Sequence, residues 1–255
     1  MATDQDGIYQ LSESLRLEFV DDFRDRLEKM RVCLRDVQEG TLDPNSGFQE
    51  FKRELHNIKG TGASFGFPNL SVLCHRFEEC LLNLTDVTFG ASRAILMYLE
   101  HMTEIADTAE DLDTVKFRAL LRSLPLIGAR VEDGEREPDG LAPEVLVVAA
   151  SGTIRHKIRS NLWRFGFHVT TVPDGIVALS LILRGQPDIV IVSGTVENMP
   201  GFDLIRAVVS MKSTNDICVA ALTSFDLDSP EIKTLPEGVP VIQLGVNMDD
   251  QIAKA

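Results

Sequence analysis

The stretch ELHNIKG at residues 54–60, followed by Gly66, decides how the first half of this chain folds. An apolar stripe at helical spacing runs through it and can face a core: Phe48, Phe51, Leu55, Ile58, Gly62 and Phe65. His56 lies roughly 100° around the helix from Leu55, which places its imidazole at the margin of the buried face. The pattern therefore predicts an amphipathic helix with one histidine at its solvent edge.

Positive charge and open space surround His56 on this predicted helix. Lys59 and Gly60 are its neighbours three and four residues on, and Lys52 lies one turn before it. A glycine within a helix costs on the order of 1 kcal/mol relative to alanine, so Gly60 calls for a reason. Clearing room for another protein to reach the imidazole is one such reason.

Amphipathic patterns on both sides of this stretch predict three further helices. They cover residues 11–38, 70–84 and 91–123. Gly66 marks the end of the histidine helix, Asn69 is the predicted N-cap of the next one, and the last helix is expected to break near Asp113. Four such helices joined by short turns predict an all-α, up-and-down four-helix bundle over residues 1–127.

Length, charge and cysteine content agree with an intracellular protein of two modules. A chain of 255 residues can form two domains, each large enough to bury a core. No apolar run approaches the roughly 20 residues of a membrane span and no signal peptide is visible, so we expect a cytoplasmic location and no membrane partner. The formal net charge of -14 argues against a nucleic-acid partner. The four cysteines show no paired spacing, which predicts reduced core residues and no metal site.

The second half has a different pattern, which begins after a linker. Residues 128–143 are acidic and rich in Gly and Pro, as is typical of a flexible linker. Beyond them, short apolar runs alternate with helical patterns and predict buried parallel strands at residues 145–150, 168–172, 188–193, 217–222 and 239–244. This alternation predicts an α/β doubly wound, five-stranded parallel sheet over residues 144–255, with helices on both faces.

The pattern HxxKGxxxxxG, filled by His56, Lys59, Gly60 and Gly66, resembles the histidine phosphotransfer (HPt) domain of bacterial two-component phosphorelays. The resemblance covers about the first half of the chain. It implies that His56 accepts a phosphoryl group through Nε2 and returns it to an aspartate of a partner receiver. Lys59, assisted by Lys52, would offset the charge of the phosphoryl oxygens.

The same resemblance indicates which partners the chain would have. It implies a receiver domain of a response regulator or of a hybrid histidine kinase, with Mg²⁺ supplied by that partner. The first half offers no carboxylate cluster for a metal, and the chain shows no Gly-rich nucleotide loop or ATP-binding region. We therefore expect a phosphate carrier without a cofactor of its own, which cannot phosphorylate itself from ATP.

Residues 144–255 resemble a response-regulator receiver domain, most clearly in PDIVIV at 187–192 and MPGFD at 199–203. In that family, two acidic residues after the first strand hold magnesium, an aspartate at the end of the third strand accepts the phosphoryl group, and a lysine follows the fifth strand. The corresponding positions of this chain hold Ala149 and Ala150, Ser193, and Leu244 or Gly245. Only Thr223, at the end of the fourth strand, fits the family's hydroxyl position.

These replacements predict a receiver fold without receiver chemistry. Alanine offers no oxygen ligand to magnesium, and a serine hydroxyl lacks the ionised oxygen that forms an acyl phosphate. The unit is therefore interpreted as a pseudo-receiver that acts in docking or regulation. A substitute carboxylate would have to come from Asp188, Asp174 or Glu197, which the pattern places at a strand start, at a helix cap and on a loop.

Two other function classes remain open. The chain could be a non-phosphorylated adaptor that binds kinases or receivers, or a phosphatase with His56 as its nucleophile. The motif around His56 is complete, whereas the second half lacks the residues that receivers use for phosphorylation. This contrast favours the phosphate carrier. The sequence leaves open the cognate kinase and receiver, the pathway output, the direction of phosphate flow and the oligomeric state, including a homo-oligomer.

Overall fold

The computed structural model of the protein describes residues 2–82, 89–124 and 142–245, with side chains for residues 12–81, 92–124 and 142–245. The chain divides into two compact units, Met1–Glu132 and Asp133–Ala255. Most of the predicted linker at residues 128–143 lies outside the described residues. Among the helices of the described residues, none is long and apolar enough to cross a membrane.

The described part of the first unit contains five α-helices. They are α1 (Ala2–Gln38), α2 (Pro44–Gly62), α3 (Pro68–Leu82), α4 (Phe89–Thr108) and α5 (Thr114–Ser123). Helix α1 begins well before the predicted Leu11. The predicted fourth helix is broken, as expected, and Asp113 caps α5 by accepting hydrogen bonds from the amides of Val115 and Lys116.

The four longer helices enclose one core. Helix α1 packs against α2 and α4, and α3 packs against α2 and α4, which closes the predicted four-helix bundle. The largest fully buried side chains include Phe23, Met30, Leu55, Ile58, Leu70, Leu73, Phe77, Ile95 and Tyr98. The rings of Phe77 and Tyr98 stack with their centroids 4.5 Å apart. The ring of Phe77 on α3 also contacts that of Phe51 on α2, with the centroids 6.4 Å apart, and this contact helps to fix α2 and α3 relative to each other.

The second unit is a parallel five-stranded sheet with the strand order β2-β1-β3-β4-β5. The strands are β1 (Glu144–Val148), β2 (His168–Val172), β3 (Ile189–Ser193), β4 (Cys218–Thr223) and β5 (Val241–Gln243), and the helices are α6 (Gly152–Arg164), α7 (Gly175–Gly185) and α8 (Gly201–Ser210). Right-handed crossovers place α6 on one face of the sheet and α7 and α8 on the other. The strand order reverses between β1 and β3, and this order is that of the flavodoxin-like fold, whose ligands bind at the carboxyl ends of these strands.

The connection between β4 and β5 differs from the sequence prediction. No α-helix lies between these strands, where only a short 3-10 turn forms at Ile232–Thr234. Pro230 and Pro236 lack the amide N–H that a helix requires, and Gly238 has a φ of +87°, in the left-handed region. The segment is therefore broken into turns.

One cysteine also departs from the prediction. All four are free, and Cys33, Cys74 and Cys80 are buried as expected, but Cys218 is exposed. Cys218 is the first residue of β4, where the strand enters the sheet and its side chain is not covered.

Candidate functional site

Helix α2 presents His56 at the surface of the bundle. The carboxylate of Asp43 caps the helix by accepting a hydrogen bond from the amide of Ser46 at 3.0 Å, and Pro44 occupies the first turn. The predicted stripe packs inward, with Phe51, Leu55, Ile58 and Gly62 buried. The His56 side chain is 76% exposed, so a fixed helix carries an accessible imidazole.

Glu78, on α3, connects His56 with Lys59. Nδ1 of His56 lies 3.9 Å from one oxygen of the Glu78 carboxylate, and Nζ of Lys59 lies 2.5 Å from the other. His75 approaches the same carboxylate, with Nδ1 at 4.0 Å. The structure thus places Lys59 beside His56, as the helical spacing predicts, and adds a carboxylate between them.

Sequence reasoning missed Glu78. Its position depends on how α3 is aligned against α2, and one sequence does not reveal which residues of two packed helices face each other. Glu78 lies within the predicted third helix, but nothing in the spacing connected it to His56.

The carboxylate bears on the chemistry of the imidazole. At 3.9 Å the contact between His56 and Glu78 is too long for a direct hydrogen bond, although one bridging water would span it. A carboxylate near Nδ1 favours the tautomer with the proton on Nδ1 and the lone pair on Nε2. The ion pair with Lys59, partly exposed, adds only about 0.5 kcal/mol of stability, but it fixes the orientation of the carboxylate.

The two glycines of the motif have different structural settings. Gly60 is exposed, and a Cβ built there would meet nothing within 4 Å, so no contact of the described residues requires a glycine at this position. Gly66 has a φ of +89° and ends the 3-10 turn Ala63–Phe65 that follows α2. Gly66 is therefore required by the backbone, whereas Gly60 leaves open space beside His56. Lys52 lies one turn before His56 and is half-buried.

The predicted role of Asn69 as an N-cap is wrong. Helix α3 begins at Pro68, which is suited to the first helical position because it has no amide proton to satisfy. The amide of Asn69 instead donates to the Asp111 carboxylate at 3.0 Å, and its side-chain amide donates to the Leu112 carbonyl at 2.6 Å. Asn69 therefore ties α3 to the connection between α4 and α5.

In the second unit, the topology brings the receiver-like positions to one edge of the sheet. Ala149 and Ala150 follow β1, and Ser193 and Thr223 end the neighbouring strands β3 and β4. Ala149, Ser193 and Thr223 are buried. Leu244 packs against the core on the α6 face and supplies no positive charge.

Each hydroxyl at this edge accepts a hydrogen bond from a backbone amide two residues further along the chain. The Ser193 hydroxyl oxygen accepts a hydrogen bond from the amide of Thr195 at 3.3 Å. The Thr223 hydroxyl oxygen accepts one from the amide of Phe225 at 2.9 Å. Both oxygens therefore serve local turns of the backbone.

The three candidate carboxylates lie at different places in the unit. Asp188 lies at the opposite edge of the sheet, where it accepts a hydrogen bond from the amide of Glu144 at 2.8 Å. Asp174 caps α7, and Glu197 is exposed on the loop after β3. Burial raises the pKa of Asp174, but hydrogen bonds from Asn198 and from the first-turn amides of α7 together have a larger, opposite effect. The pKa of Asp174 is therefore below its usual value.

The described residues contain no group of three or more His, Cys, Asp or Glu side chains that could hold a metal ion. Magnesium requires oxygen ligands and usually one or two carboxylates. The donor set at the carboxyl edge of the sheet therefore does not fit a magnesium ion.

Comparison with protein families finds a match for the first unit. Residues 14–124 match the Hpt domain. The matched segment contains α2 and α3, and therefore His56, Lys59 and Glu78. The match covers less than half of the chain and describes the helical unit, which is called the Hpt domain below.

Other comparisons concern response regulators. The chain is 30% identical over 95 residues to the response regulator MprA of Mycobacterium sp. strains KMS and JLS, which is 37% of this chain and 40% of each relative. The chain thus matches less than half the length of these curated relatives.

Similar solved structures are receiver proteins. The chemotaxis protein CheY4 of Vibrio cholerae is 26% identical with a TM-score of 0.39, and the match covers 44% of this chain and 94% of that one. The receiver domain of the sensor histidine kinase PA1611 of Pseudomonas aeruginosa, which holds a magnesium ion in its active-site cleft, is 19% identical with a TM-score of 0.39 and coverages of 44% and 93%. The Hpt domain followed by a receiver-like unit supports a role in two-component phosphorelay signalling.

Proposed function

We propose that the chain is a histidine phosphotransfer protein, in which His56 carries a phosphoryl group between the aspartates of receiver domains or from a kinase. The observation that carries this proposal is the exposed imidazole of His56, whose Nδ1 lies near the Glu78 carboxylate while Nε2 lies on the far side of the ring. The match of residues 14–124 to the Hpt domain supports the same role.

The transfer can be written with its atoms and charges balanced. The lone pair on Nε2 of neutral His56 attacks the phosphorus of an aspartyl phosphate on the partner. The N–P bond forms while the P–O bond to the aspartate breaks, and the aspartate leaves as a carboxylate with the electron pair. The product is a phosphohistidine that keeps its proton on Nδ1, and the reverse reaction returns the phosphoryl group to another aspartate.

Glu78 is the positioning residue of this proposal. Its carboxylate faces the Nδ1 side of the ring, where it favours the reactive tautomer and stabilises the positive charge that the imidazole gains on phosphorylation. Lys59 balances the charge of Glu78, so the incoming phosphoryl group meets a less negative surface. Lys52, one turn earlier on α2, adds a second positive charge to the same part of the helix.

Magnesium would come with the partner receiver, because the described residues of this chain offer no site for it. The Hpt domain is proposed to act as a phosphocarrier, with no ATP-dependent kinase activity of its own. We propose a cytoplasmic location, because the kinases that would supply the phosphoryl group use ATP.

The receiver-like unit is proposed to be inert toward phosphate and to act in docking or regulation. Ala149, Ala150 and Ser193 stand where the resemblance calls for carboxylates, and the Ser193 hydroxyl already accepts a hydrogen bond from the backbone. A phosphoryl group at this edge would lack both a metal and an acceptor carboxylate.

The experiment is phosphorylation of the full chain by phosphorylated receivers and their kinases. We expect label that is labile in acid and stable in alkali, as a phosphohistidine is, and that disappears in His56→Ala. It should persist in Ser193→Ala and in His156→Ala, a matched change at another exposed histidine. Absence of label with a full panel of kinases and receivers from the source genome would refute the carrier and support the adaptor alternative.

A further inference from the structure

The outer face of α7 is apolar, although it is exposed to solvent. Ile176, Val177 and Leu183 are 61%, 44% and 40% exposed. They surround the exposed Ser180 at helical spacing, so the four side chains share one face of the helix. Apart from Ser180, residues 176–183 are all apolar, and the opposite face of α7 is buried against the sheet. A helix that is apolar all round is normally buried on all sides, so the exposure of α7 calls for a reason.

The outer faces of the other two helices of this unit carry charged side chains. Helix α6 exposes Lys157 and Arg164. Helix α8 exposes one apolar side chain, Val209, but also Arg206, whose guanidinium donates a hydrogen bond to the Asp203 carboxylate. Single exposed apolar residues are normal on a protein surface, whereas a group of them along one helix is typical of an interaction site. We therefore expect another protein surface to cover α7.

The residues of this face are arranged so that it can pack against a copy of itself. Val177 lies three residues before Ser180, and Leu183 lies three residues after it. A two-fold axis through Ser180 therefore brings Val177 of each copy against Leu183 of the other. The same axis brings Ile176 of each copy against the aliphatic stem of Arg184 of the other. The short Ser180 side chain at the axis allows the two helices to approach closely.

Charge favours the same antiparallel arrangement. Arg184 is the only charged residue within α7, and the Asp174 carboxylate caps the opposite end of the helix. With the axis at Ser180, Arg184 of one copy and Asp174 of the other lie level to within about 3 Å along the helix axis. Parallel packing would instead bring the two arginines together. Two copies of a chain with a net charge of -14 repel each other, and this face adds no acidic side chain to that repulsion.

We propose that the outer face of α7 is a homodimer interface, at which α7 of a second copy of this chain packs antiparallel to the first. Each copy contributes three exposed apolar side chains, so the contact is small and the dimer dissociates on dilution. Such a dimer holds two Hpt domains in one assembly. This inference goes beyond the proposed phosphotransfer and concerns a surface of the second unit alone.

The first experiment is sedimentation velocity of the full chain at concentrations on the order of 1 to 100 µM, under reducing conditions. The wild-type chain should shift from the monomer toward twice its mass as the concentration rises. Leu183→Lys should weaken this dimer about tenfold or more, because it places a charge in the apolar contact. Phe165→Lys is the matched control at the exposed end of α6 and should leave the dimer unchanged. A chain that stays monomeric, or a dimer that Leu183→Lys does not weaken, overturns the proposal.

The second experiment tests the antiparallel arrangement and introduces no charge. Ser180→Cys is made together with Cys218→Ser, which removes the exposed native thiol. Under mild oxidation, a disulfide between two copies should form about tenfold faster than with Ser160→Cys, an exposed position of α6 in the same background. Equal rates overturn the proposal. Phosphorylation of His56 in the same variants is a separate readout, so failure of this inference is distinguishable from failure of the proposed function.

Discussion

Substitutions of Gly60 separate the stability of the Hpt domain from the access of its partner. Gly60 lies in the last part of α2, and a Cβ there would meet nothing within 4 Å. Gly60→Ala should therefore raise the free energy of unfolding by about 1 kcal/mol, the full difference in helix propensity, without any steric cost. In a unit of this size, that gain should raise the melting temperature by about 4 °C.

A larger side chain at the same position should have opposite effects on folding and on transfer. Gly60→Gln keeps much of the gain in stability, because glutamine is also a good helix former. It also fills the open space beside His56, and we expect the rate of phosphoryl transfer to a partner receiver to fall about tenfold or more, equivalent to about 1.4 kcal/mol of lost docking.

The assays are thermal unfolding by circular dichroism and transfer kinetics with a purified receiver. Gly62→Ala is the matched control, because a Cβ there would already touch the Phe67 carbonyl oxygen and the Ser71 hydroxyl at 3.4 Å, and its gain in stability should be smaller. Transfer by Gly60→Gln at the wild-type rate would refute the idea that this glycine clears space for a partner. A Gly60→Ala protein that is no more stable than the wild type would refute the reasoning from open space.

Three further predictions concern other parts of the chain. Glu78→Gln should slow phosphorylation of His56 about tenfold, because an amide does not stabilise the positive imidazole as a carboxylate does. The melting temperature should change little. Single-turnover labelling measures the rate, and an unchanged rate would exclude a positioning role for Glu78. Arg26→Ala should destabilise the Hpt domain by about 2 kcal/mol. Arg26 bonds the buried Glu54 carboxylate at 2.6 Å, and its loss leaves that charge with only the longer contact to the exposed Arg53 at 3.9 Å. Urea unfolding measures this, and Glu54→Gln should cost less. Asp174→Ala should destabilise the receiver-like unit at neutral pH, where the cap of α7 is ionised. Because the pKa of Asp174 is lowered in the folded state, this difference should be present above the unfolded pKa and disappear as the pH falls through the folded pKa; a difference that persists in strong acid would contradict the capping role.

Local features of the chain could be predicted from the sequence. Helix α2 follows from its apolar stripe, and Gly66 was expected to end the helical segment. The five strands follow from apolar runs bounded by turns, and their parallel order from the alternation with helices. These are properties of short segments, for which spacing and turn chemistry are sufficient.

Features that depend on tertiary packing could not be predicted in the same way. Glu78 reaches His56 only because α3 is aligned against α2 by their buried faces. The hydrogen bonds that Arg155 on α6 donates to the carbonyl oxygens of Ala149 and Ala150 likewise depend on how the chain turns between β1 and α6. The missing helix between β4 and β5 could have been anticipated from Pro230 and Pro236, which interrupt that segment.

The most direct test of the central claim is the site of phosphorylation in the full chain. After incubation with a phosphorylated receiver, mass spectrometry under alkaline conditions should locate one phosphoryl group on His56 and none on Ser193 or Thr223. Label that persists in His56→Ala, or that is found at the carboxyl edge of the receiver-like sheet, would contradict the account.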